Sequence, residues 1–396
     1  MHAPRCGLVY CCCCCSSMKH RRSRQGFNYK CYGEGILISY NNQELLVRKA
    51  VTGSKLTIAT LGSHCSLQVL KGANDEGFRT LLVCEKRRLG LYSRFRFIDE
   101  IIEVESFAEI LDDACKKRLK QAGSVLIPHG TLISQMKSDE IEKIDLPLFG
   151  NKWILRWEAD RDLKEKMMKE AGLKIPHAVK SKEDINGLCI VKLHGAAGGR
   201  GYYLAWSRES FEEGAKRLID QNIIKEESDL YIQEFVRGVP VYLQYFYSPI
   251  TQEVELLGID RRYESDIDGI GRIPAKQQLS AGSIEPSYNV IGNIPLVLRE
   301  SLLEEVYKMG ENFVHAAERL VPPGMPGPFC LEGVYDREGR FTTFEFSARI
   351  VAGTNLYLDG SPYSGLLFKE PMSMGRRIAR EVKIAKKMGK LDKVMT

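Results

Sequence analysis

The chain has 396 residues, of which 44% are hydrophobic and 27% are charged. This composition excludes a disordered chain, and at about 100–200 residues per domain it predicts two or three packed units. The net charge of +6 comes from six basic residues within positions 1–30, which contain no Asp or Glu, so the rest of the chain is balanced. A basic tail is weak support for nucleic-acid binding, and no apolar run approaches the roughly 18–20 residues that span a bilayer. We therefore expect neither a nucleic acid nor a membrane as partner.

The twelve cysteines fall into two groups. Six lie in the first fifteen residues and six are spread singly, so the body of the chain has no disulfide framework and suits a reducing cytoplasm. The run at 11–15 could bind metal or accept palmitate, but adjacent cysteines lack the spacing with which thiolates converge on zinc. We expect residues 1–50 to be a variable extension, disordered at least to residue 30. An upstream start codon, with Met18 or a later residue as the true beginning, would also explain this unusual N-terminal segment.

Residues 51–149 alternate between strand-like and helix-like segments. Strands are predicted at 55–63, 80–84, 97–105 and 124–130, and helices at 65–74 and 108–121. This alternation predicts an α/β unit with a parallel sheet covered by helices. The loops after the first and last strands, at Ser63-His64 and His129-Gly130, would lie at the carboxyl edge, where open α/β sheets bind ligands.

After residue 150 long strands are joined as hairpins, which predicts an α+β unit over 150–396. Helices are predicted at 160–171, 208–221, 295–320 and 372–388. Strands are predicted at 188–193, 203–206, 229–236, 239–248, 253–264, 328–336 and 341–349.

The glycine-rich segment HGAAGGRGYY, at 194–203, follows a strand that carries Lys192. Glycines let backbone N–H groups approach a polyphosphate, and Lys192 and Arg200 add positive charge. The segment is not a Walker loop, because no GK[ST] follows and the next element is a strand. Alone, a glycine-rich hairpin is more often just a turn.

Glu332 and Glu345 lie on two predicted strands, each in apolar surroundings. A carboxylate in such a setting is costly unless it is paired or metal-bound, and two on neighbouring strands suit Mg²⁺ that bridges ATP phosphates. Ser347 and Arg349 continue the second strand towards the same edge. The alternative is that Glu345 forms an ion pair with Arg349.

The order of a phosphate loop, a hinge strand at 233–236 and two late carboxylates resembles the ATP-grasp superfamily. The segments ATLGSHCS, IPHGT, VKLHGAAGGRGY, ELLGIDRRYES, IGNIP, GPFCLE, FEFSAR and PMSMGRRIARE resemble the archaeal-type 5-formaminoimidazole-4-carboxamide ribonucleotide synthetases over about 55–396. The resemblance implies an N-terminal α/β domain at 51–149 and, at 150–396, an ATP-grasp fold of two α+β subdomains, with the nucleotide lid at about 176–237.

The resemblance also implies an ADP-forming ligation in purine (IMP) biosynthesis. ATP would phosphorylate formate, and the 5-amino group of aminoimidazole carboxamide ribonucleotide (AICAR) would displace phosphate from formyl phosphate to give the formamido product, FAICAR. No covalent protein nucleophile is needed, because positioning and charge neutralisation supply the catalysis. The implied cofactor is Mg²⁺ or Mn²⁺, ATP is a co-substrate, and the resemblance also implies a homo-oligomer.

Site residues are carried over motif by motif. The AICAR contacts would be His64, Thr131 and Asn293. The ATP contacts would be Lys192, Gly199, Arg200, Gly201, Glu234, Val236 and Glu264. The metal ligands would be Glu332 and Glu345, with Arg349 as a phosphate contact.

Several alternatives stay open at this point. His64 could cap the following helix or pack inside, His129 competes with it, and Asn293 could be a turn residue. The lysine that relatives carry before the lid corresponds to Arg161 or Lys166. Thr131 stands where many relatives have Ser, and Ser347 where ATP-grasp proteins often have Asn. A paralogue with another acid and amine, or a nucleotide-binding protein without catalysis, are the rival functions.

Overall fold

A computed structural model of the chain describes residues 56–193, 201–280 and 290–396. The Cys-rich extension and the two predicted lid contacts Gly199 and Arg200 lie outside these ranges.

The first part is a four-stranded parallel sheet, as the alternating pattern predicts. Its order is β3-β2-β1-β4, with Thr57 of β1 paired to Arg79 of β2 and Ser124 of β4. The strands are β1 (Thr57–Leu61), β2 (Arg79–Glu85), β3 (Glu100–Val104) and β4 (Ser124–Leu126). The helices are α1 (Ser66–Asp75), α2 (Leu89–Tyr92), α3 (Asp113–Gln121), α4 (Gly130–Gln135) and α5 (Ser138–Glu142). Strands β1 and β2 are buried almost throughout, as expected for parallel strands that are covered on both faces.

A second four-stranded sheet follows two short helices. Its order is β5-β8-β6-β7, and all its pairs are antiparallel. The helices before it are α6 (Ile154–Ala159) and α7 (Arg161–Glu170), and α8 (Arg208–Asp220) follows β7. The strands are β5 (Ala178–Val179), β6 (Cys189–Leu193), β7 (Tyr203–Ala205) and β8 (Leu230–Glu234). Phe211 and Leu218 of α8 pack with Val191 and Ile232, which gives this sheet its own small core.

The third sheet has five antiparallel strands in the order β11-β10-β9-β12-β13. They are β9 (Val239–Ser248), β10 (Glu253–Glu264), β11 (Val290–Pro295), β12 (Gly327–Tyr335) and β13 (Phe341–Ser347). The remaining helices are α9 (Ser265–Ile270), α10 (Ala275–Ser280), α11 (Leu303–Leu320), α12 (Ser364–Leu367) and α13 (Met374–Lys387). The helix predicted at 295–320 is wrong in its first turns, because 290–295 pairs with β10 as an edge strand and the helix begins at Leu303.

The closing helix α13 ties the first sheet to the third. Gly72 of α1 and Gly375 of α13 allow the backbones to touch, since a Cβ at Gly375 would lie 2.3 Å from the carbonyl oxygen of Gln68. The backbone of His129 forms an isolated bridge with Ile350, just beyond β13. The carboxyl edge of the parallel sheet therefore meets the end of the five-stranded sheet. The predicted domain boundary near residue 150 stays a prediction. In the ranges described above, the structure holds no helix with the length and apolarity needed to span a bilayer.

Candidate functional site

One face of the five-stranded sheet carries a row of polar side chains. Residues directly opposite one another in antiparallel strands point to the same face. Asn293 lies opposite Arg262, Asp260 opposite Tyr242, Tyr242 opposite Glu332, and Glu332 opposite Glu345. We call this set the polar row: Asn293, Arg262, Asp260, Tyr242, Glu332 and Glu345. It connects the two ends of the sequence-predicted site, Asn293 at one edge strand and Glu345 at the other.

The opposite face of the sheet belongs to the core, which explains why its polar residues share one side. Tyr245, Phe329 and Phe346 alternate with the polar row along their strands and pack against Phe313 of α11. The ring centroids of Tyr245 and Phe329 lie 4.9 Å apart. A shift of one residue in any strand would exchange the two faces, so this packing fixes the register of the polar row.

Glu332 and Glu345 are each held by a cation. Arg262 Nη2 donates to Glu332 Oε2 at 2.7 Å, and the hydroxyl of Ser347 donates to the other oxygen of Glu332 at 2.9 Å. Lys164 of α7 forms the ion pair with Glu345. Burial raises the pKa of Glu345, but Lys164 outweighs it and holds the carboxyl ionised. The predicted alternative, an ion pair of Glu345 with Arg349, is wrong.

Arg349 pairs instead with Glu158 of α6. Its Nη2 lies 2.9 Å from Glu158 Oε1, while the backbone N–H of Ala348 donates to Glu158 Oε2 at 2.8 Å. Burial raises the pKa of Glu158, and Arg349 opposes that rise. The buried carboxylate fixes the direction of the arginine, whose Nε has no hydrogen-bond partner in the described part of the chain.

The two acids fit a magnesium ion that a nucleotide helps to hold. Carboxylate oxygens are hard ligands, and Mg²⁺ is commonly bound by one or two carboxylates together with substrate phosphates and water. Across residues 56–193, 201–280 and 290–396 the structure contains no cluster of three or more His, Cys, Asp or Glu able to hold a metal ion. Glu332 and Glu345 can thus supply part of such a coordination shell, and phosphate oxygens would be needed to complete it.

Lys192 of β6 faces this acid pair from the second sheet. Its side chain is buried, and Nζ donates to Gln233 Oε1 of the neighbouring strand at 2.8 Å. Burial lowers the pKa of Lys192 to about 8, while Glu345 favours its charged form. A desolvated ammonium can bind an anion strongly.

Helix α7 presents different cations on different sides. Arg161 Nη2 donates to the carbonyl oxygen of Leu193 at 2.7 Å, and its guanidinium carbon lies 4.9 Å from the centre of the Tyr231 ring. Lys166 instead lies 5.7 Å from the ring of Trp157. Of the two candidates from the sequence, Arg161 is therefore the one beside the lid strands. Lys164, which the sequence analysis did not single out, contacts Glu345 from the same helix.

The other predicted nucleotide contacts are placed as follows. Glu234, at the end of β8, is exposed, and its Oε2 accepts from the backbone N–H of His177 at 3.3 Å. Val236 follows it half-buried, and Gly201 has φ +76. Glu264 ends β10, where burial raises the pKa of its carboxyl.

His64 lies beyond the end of β1 with φ +54, a left-handed conformation that is uncommon outside glycine. Its carbonyl oxygen accepts from Asn355 Nδ2 at 3.1 Å. Helix α1 begins after Cys65 with no side-chain cap, so His64 does not cap it. Part of the side chain reaches solvent, yet loss of water around the ring and the nearby Arg349 hold the pKa of His64 well below its usual range. The imidazole is neutral at neutral pH.

His129 has a structural role next to His64. Its Nε2 lies 2.9 Å from the carbonyl oxygen of Leu61, which can only accept, so Nε2 carries the proton. Its Nδ1 accepts from the backbone N–H of Thr131 at 3.2 Å and caps α4. Burial lowers the pKa of His129 to about 4. The two imidazoles are stacked with centroids 5.4 Å apart, and a Cβ at Gly130 would come within 2.8 Å of His64 Nε2. The glycine thus leaves room for the His64 ring.

Asn293 lies in strand β11, so the turn alternative is wrong. Its Nδ2 donates to Asp260 Oδ2 at 2.7 Å. Arg262 lies between Asn293 and the acids. It is opposite Asn293 on the neighbouring strand and forms an ion pair with Glu332. Its guanidinium carbon also lies 4.1 Å from the centre of the Tyr242 ring. Neither Asp260 nor Arg262 is predicted as a site residue from the sequence, although the motif GIDRRYE places these two charges at alternate positions of a strand.

Comparisons with known proteins show the family of the chain. Residues 58–179 match a family model described as "Protein of unknown function (DUF1246)", and residues 210–396 match "Domain of unknown function (DUF1297)". The chain is 61% identical over 340 residues to the 5-formaminoimidazole-4-carboxamide-1-(beta)-D-ribofuranosyl 5'-monophosphate synthetase of Nitrosopumilus maritimus, covering 86% of this chain and 99% of that protein. It is 48% identical over 345 residues to the protein of the same name from Methanocaldococcus jannaschii, covering 86% and 95%.

Solved structures give the same result. The IMP biosynthesis protein PurP from Thermococcus kodakaraensis superposes with a TM-score of 0.69 at 32% identity, covering 86% of this chain and 100% of that one. The biotin carboxylase domain of Hydrogenobacter thermophilus 2-oxoglutarate carboxylase, solved with MgADP, superposes with a TM-score of 0.59 at 13% identity, covering 82% and 69%, which supports the fold alone. The chain is therefore an ATP-grasp ligase, an enzyme that forms a C–N bond. Within that class it belongs to the 5-formaminoimidazole-4-carboxamide ribonucleotide synthetase family of purine biosynthesis.

Proposed function

We propose that this protein formylates the 5-amino group of AICAR with formate and ATP, and releases FAICAR, ADP and phosphate. The observation that carries the proposal is the polar row, because it joins an acid pair suited to nucleotide phosphates to an amide suited to a polar heterocycle. Formate becomes electrophilic only when one of its oxygens is converted into a leaving group, so a phosphoryl-transfer site and an amine site must meet.

In the first step an oxygen of formate attacks the γ-phosphorus of ATP, and the bond to the ADP oxygen breaks. Lys192 and Arg161 neutralise phosphate charge from the lid side, with Gly199, Arg200, Gly201, Glu234, Val236 and Glu264 as the further proposed nucleotide contacts. Glu332 and Glu345 would hold Mg²⁺ or Mn²⁺. A metal bound there supplies positive charge to the phosphate oxygens. Lys164 keeps the Glu345 carboxylate ionised and ready to bind it, and Arg262 pairs with Glu332 beside it.

In the second step the amine nitrogen of AICAR attacks the carbonyl carbon of formyl phosphate. The C–O bond to phosphate breaks, phosphate leaves with the electron pair, and the nitrogen loses a proton. His64, Thr131 and Asn293 would bind AICAR. Arg262 and Arg349 would stabilise the anionic formyl phosphate between the ATP-binding residues and the AICAR-binding residues. No side chain needs to form a covalent bond with the substrate.

The rival functions make different demands on the site. A non-catalytic nucleotide-binding protein would not need Glu332 and Glu345 to be paired so closely with Arg262 and Lys164, which favours catalysis. A paralogue with another acid–amine pair would share the phosphate end and differ around His64 and Asn293. We further propose that the protein acts in the cytoplasm as a homo-oligomer.

The proposal is tested with the purified full chain, ATP, Mg²⁺, formate and AICAR. We expect FAICAR and ADP in equal amounts, and no product when any one component is omitted. With formate labelled by heavy oxygen, one labelled atom should appear in the released phosphate, because a formate oxygen becomes the bridge to phosphorus. AMP and pyrophosphate as products, or unlabelled phosphate with a formyl-folate donor replacing formate, would contradict the proposal.

A further inference from the structure

Asp260 is a buried carboxylate that binds the amide of Asn293. It lies in the middle of β10 and is 1% exposed. Asn293 Nδ2 donates to one carboxylate oxygen at 2.7 Å, and Gln244 Nε2 donates to the other. Burial raises the pKa of Asp260 to about 6, while the hydrogen bonds from Asn293 and Gln244 and the charge of Arg262 favour the ionised form and Glu332 opposes it.

The carboxylate determines which end of the Asn293 amide faces it. An ionised carboxylate only accepts hydrogen bonds, so Asn293 must turn its NH2 group inward and its carbonyl oxygen Oδ1 away. Among the described residues, none donates a hydrogen bond to that Oδ1. Without the carboxylate of Asp260 as its partner, the Asn293 amide could rotate and present either its NH2 group or its carbonyl oxygen.

The backbone around Asp260 leaves it little freedom to move. A Cβ at Gly353 would lie 2.3 Å from Asp260 Oδ1, and a Cβ at Gly258 would lie 2.7 Å from the Tyr357 ring. The hydroxyl of Tyr357 donates to the carbonyl oxygen of Ile259, next to Asp260. Residues 352–357 therefore hold the carboxylate against its two amide partners.

We propose that Asp260 is a positioning residue that fixes Asn293 as a hydrogen-bond acceptor and so selects nucleotides whose base offers an N–H donor. The inference deepens the proposed function and rests on it. AICAR has two such donors, the 5-amino group and the 4-carboxamide NH2. A base with an acceptor at the contacted position would face the lone pairs of Asn293 and be rejected, because an unpaired buried acceptor is expensive.

Asp260→Asn is the main test, because it keeps the shape and removes the purely accepting group. The new amide can accept from only one of Gln244 and Asn293, so the orientation of Asn293 is no longer fixed. We expect the Kd of AICAR to rise about 10- to 100-fold, which is the usual effect of losing one well-placed hydrogen bond to a polar ligand. The Kd of ADP should change less than about twofold. Asp145→Asn, at the exposed pair with Lys120, is the matched control and should change neither value.

A double-mutant comparison separates positioning from a structural role. In an Asn293→Ala background, Asp260→Asn should add less than about twofold to the Kd of AICAR, since Asp260 acts through the missing amide. Additive effects, or an equal loss of ADP binding, would overturn the inference. If Asp260→Asn does not fold, Asn293→Ala is the test of the inference. It must raise the Kd of AICAR at least about tenfold and must leave the Kd of an analogue without the contacted donor unchanged.

Two analogues identify which N–H group is contacted. One carries a 4-carboxylate in place of the carboxamide, and the other lacks the 5-amino group and is used for binding only. The analogue without the contacted group should bind wild type as weakly as AICAR binds Asn293→Ala. If both analogues bind like AICAR, the inference is wrong while the proposed function stands. A wild-type protein that binds no AICAR would instead refute the proposed function, and the inference with it.

Discussion

Lys192→Met should raise the free energy of unfolding of the protein and weaken its binding of adenine nucleotide. The substitution keeps the length of the side chain and removes its charge. Lys192 is 7% exposed, and burial lowers its pKa from 10.5 to about 8, although Nζ donates to Gln233. The charged ammonium is therefore held in the folded protein at the expense of stability.

The magnitude follows from the pKa. Lys192 binds its proton less tightly when folded, so its charge destabilises the folded state fully below pH 8 and not at all above about pH 10.5. The change from 10.5 to about 8 corresponds to about 3 kcal/mol. Methionine leaves Gln233 Oε1 without its donor, which costs about 1 kcal/mol. At pH 7 we expect a net gain of about 2 kcal/mol in the free energy of unfolding.

Urea unfolding at pH 7 and pH 10 measures the gain, which should shrink at the higher pH because wild-type Lys192 then loses its proton. Calorimetric titration should show a weaker ADP complex, by about 10- to 100-fold, since a charge-assisted hydrogen bond contributes about 1.5–3 kcal/mol. Lys169→Met, at an exposed lysine of α7, is the control. A destabilised Lys192→Met variant with unchanged ADP affinity would refute this reasoning and make Lys192 a structural residue.

Three further predictions address the rest of the site. Glu345→Gln should lower kcat by orders of magnitude at limiting Mg²⁺ with little change in Tm; near-normal turnover would make the residue structural. His64→Asn keeps a residue that tolerates positive φ, so it should raise the KM for AICAR about 10- to 100-fold and leave the KM for ATP unchanged; an altered Tm with normal kinetics would remove His64 from the site. Lys164→Met should weaken activity more than Lys166→Met, and the reverse order in a kinetic assay would contradict the contact with Glu345.

The sequence predicts most of the fold because the strand signals are local. The parallel sheet was expected from alternating apolar runs, and the bounds of β9 and β10 are as predicted. Strand β11 was missed because its residues are largely exposed and it lies at an edge, so no apolar alternation marks it. The sequence therefore predicts a helix that starts at Pro295, although this proline is the last residue of that strand.

The sequence predicts a candidate site residue only where that residue lies within a recognisable motif. Glu332, Glu345 and Lys192 follow from their positions next to glycines and apolar strands. Lys164 and Asp260 could not be found in this way, since their contacts depend on which strand or helix lies opposite them in space. Contacts between residues 181 positions apart, such as Lys164 and Glu345, leave no local pattern in the chain.

Strand register explains how one sheet face can serve two chemically different ligands. Glu332 and Glu345 face the cations Lys164 and Arg262, whereas Asn293 and Asp260 lie on the two neighbouring strands at the other side of the sheet, where we propose that AICAR binds. Arg262 stands between them, paired with Glu332 and opposite Asn293. In the proposed mechanism, anionic formyl phosphate forms beside Glu332 and Glu345 and reacts with the amine beside Asn293. The guanidinium of Arg262 lies between these two places on the same face of the sheet. Alternation of side chains along β10 is what permits this, because Asp260 and Arg262 are two residues apart and share one face.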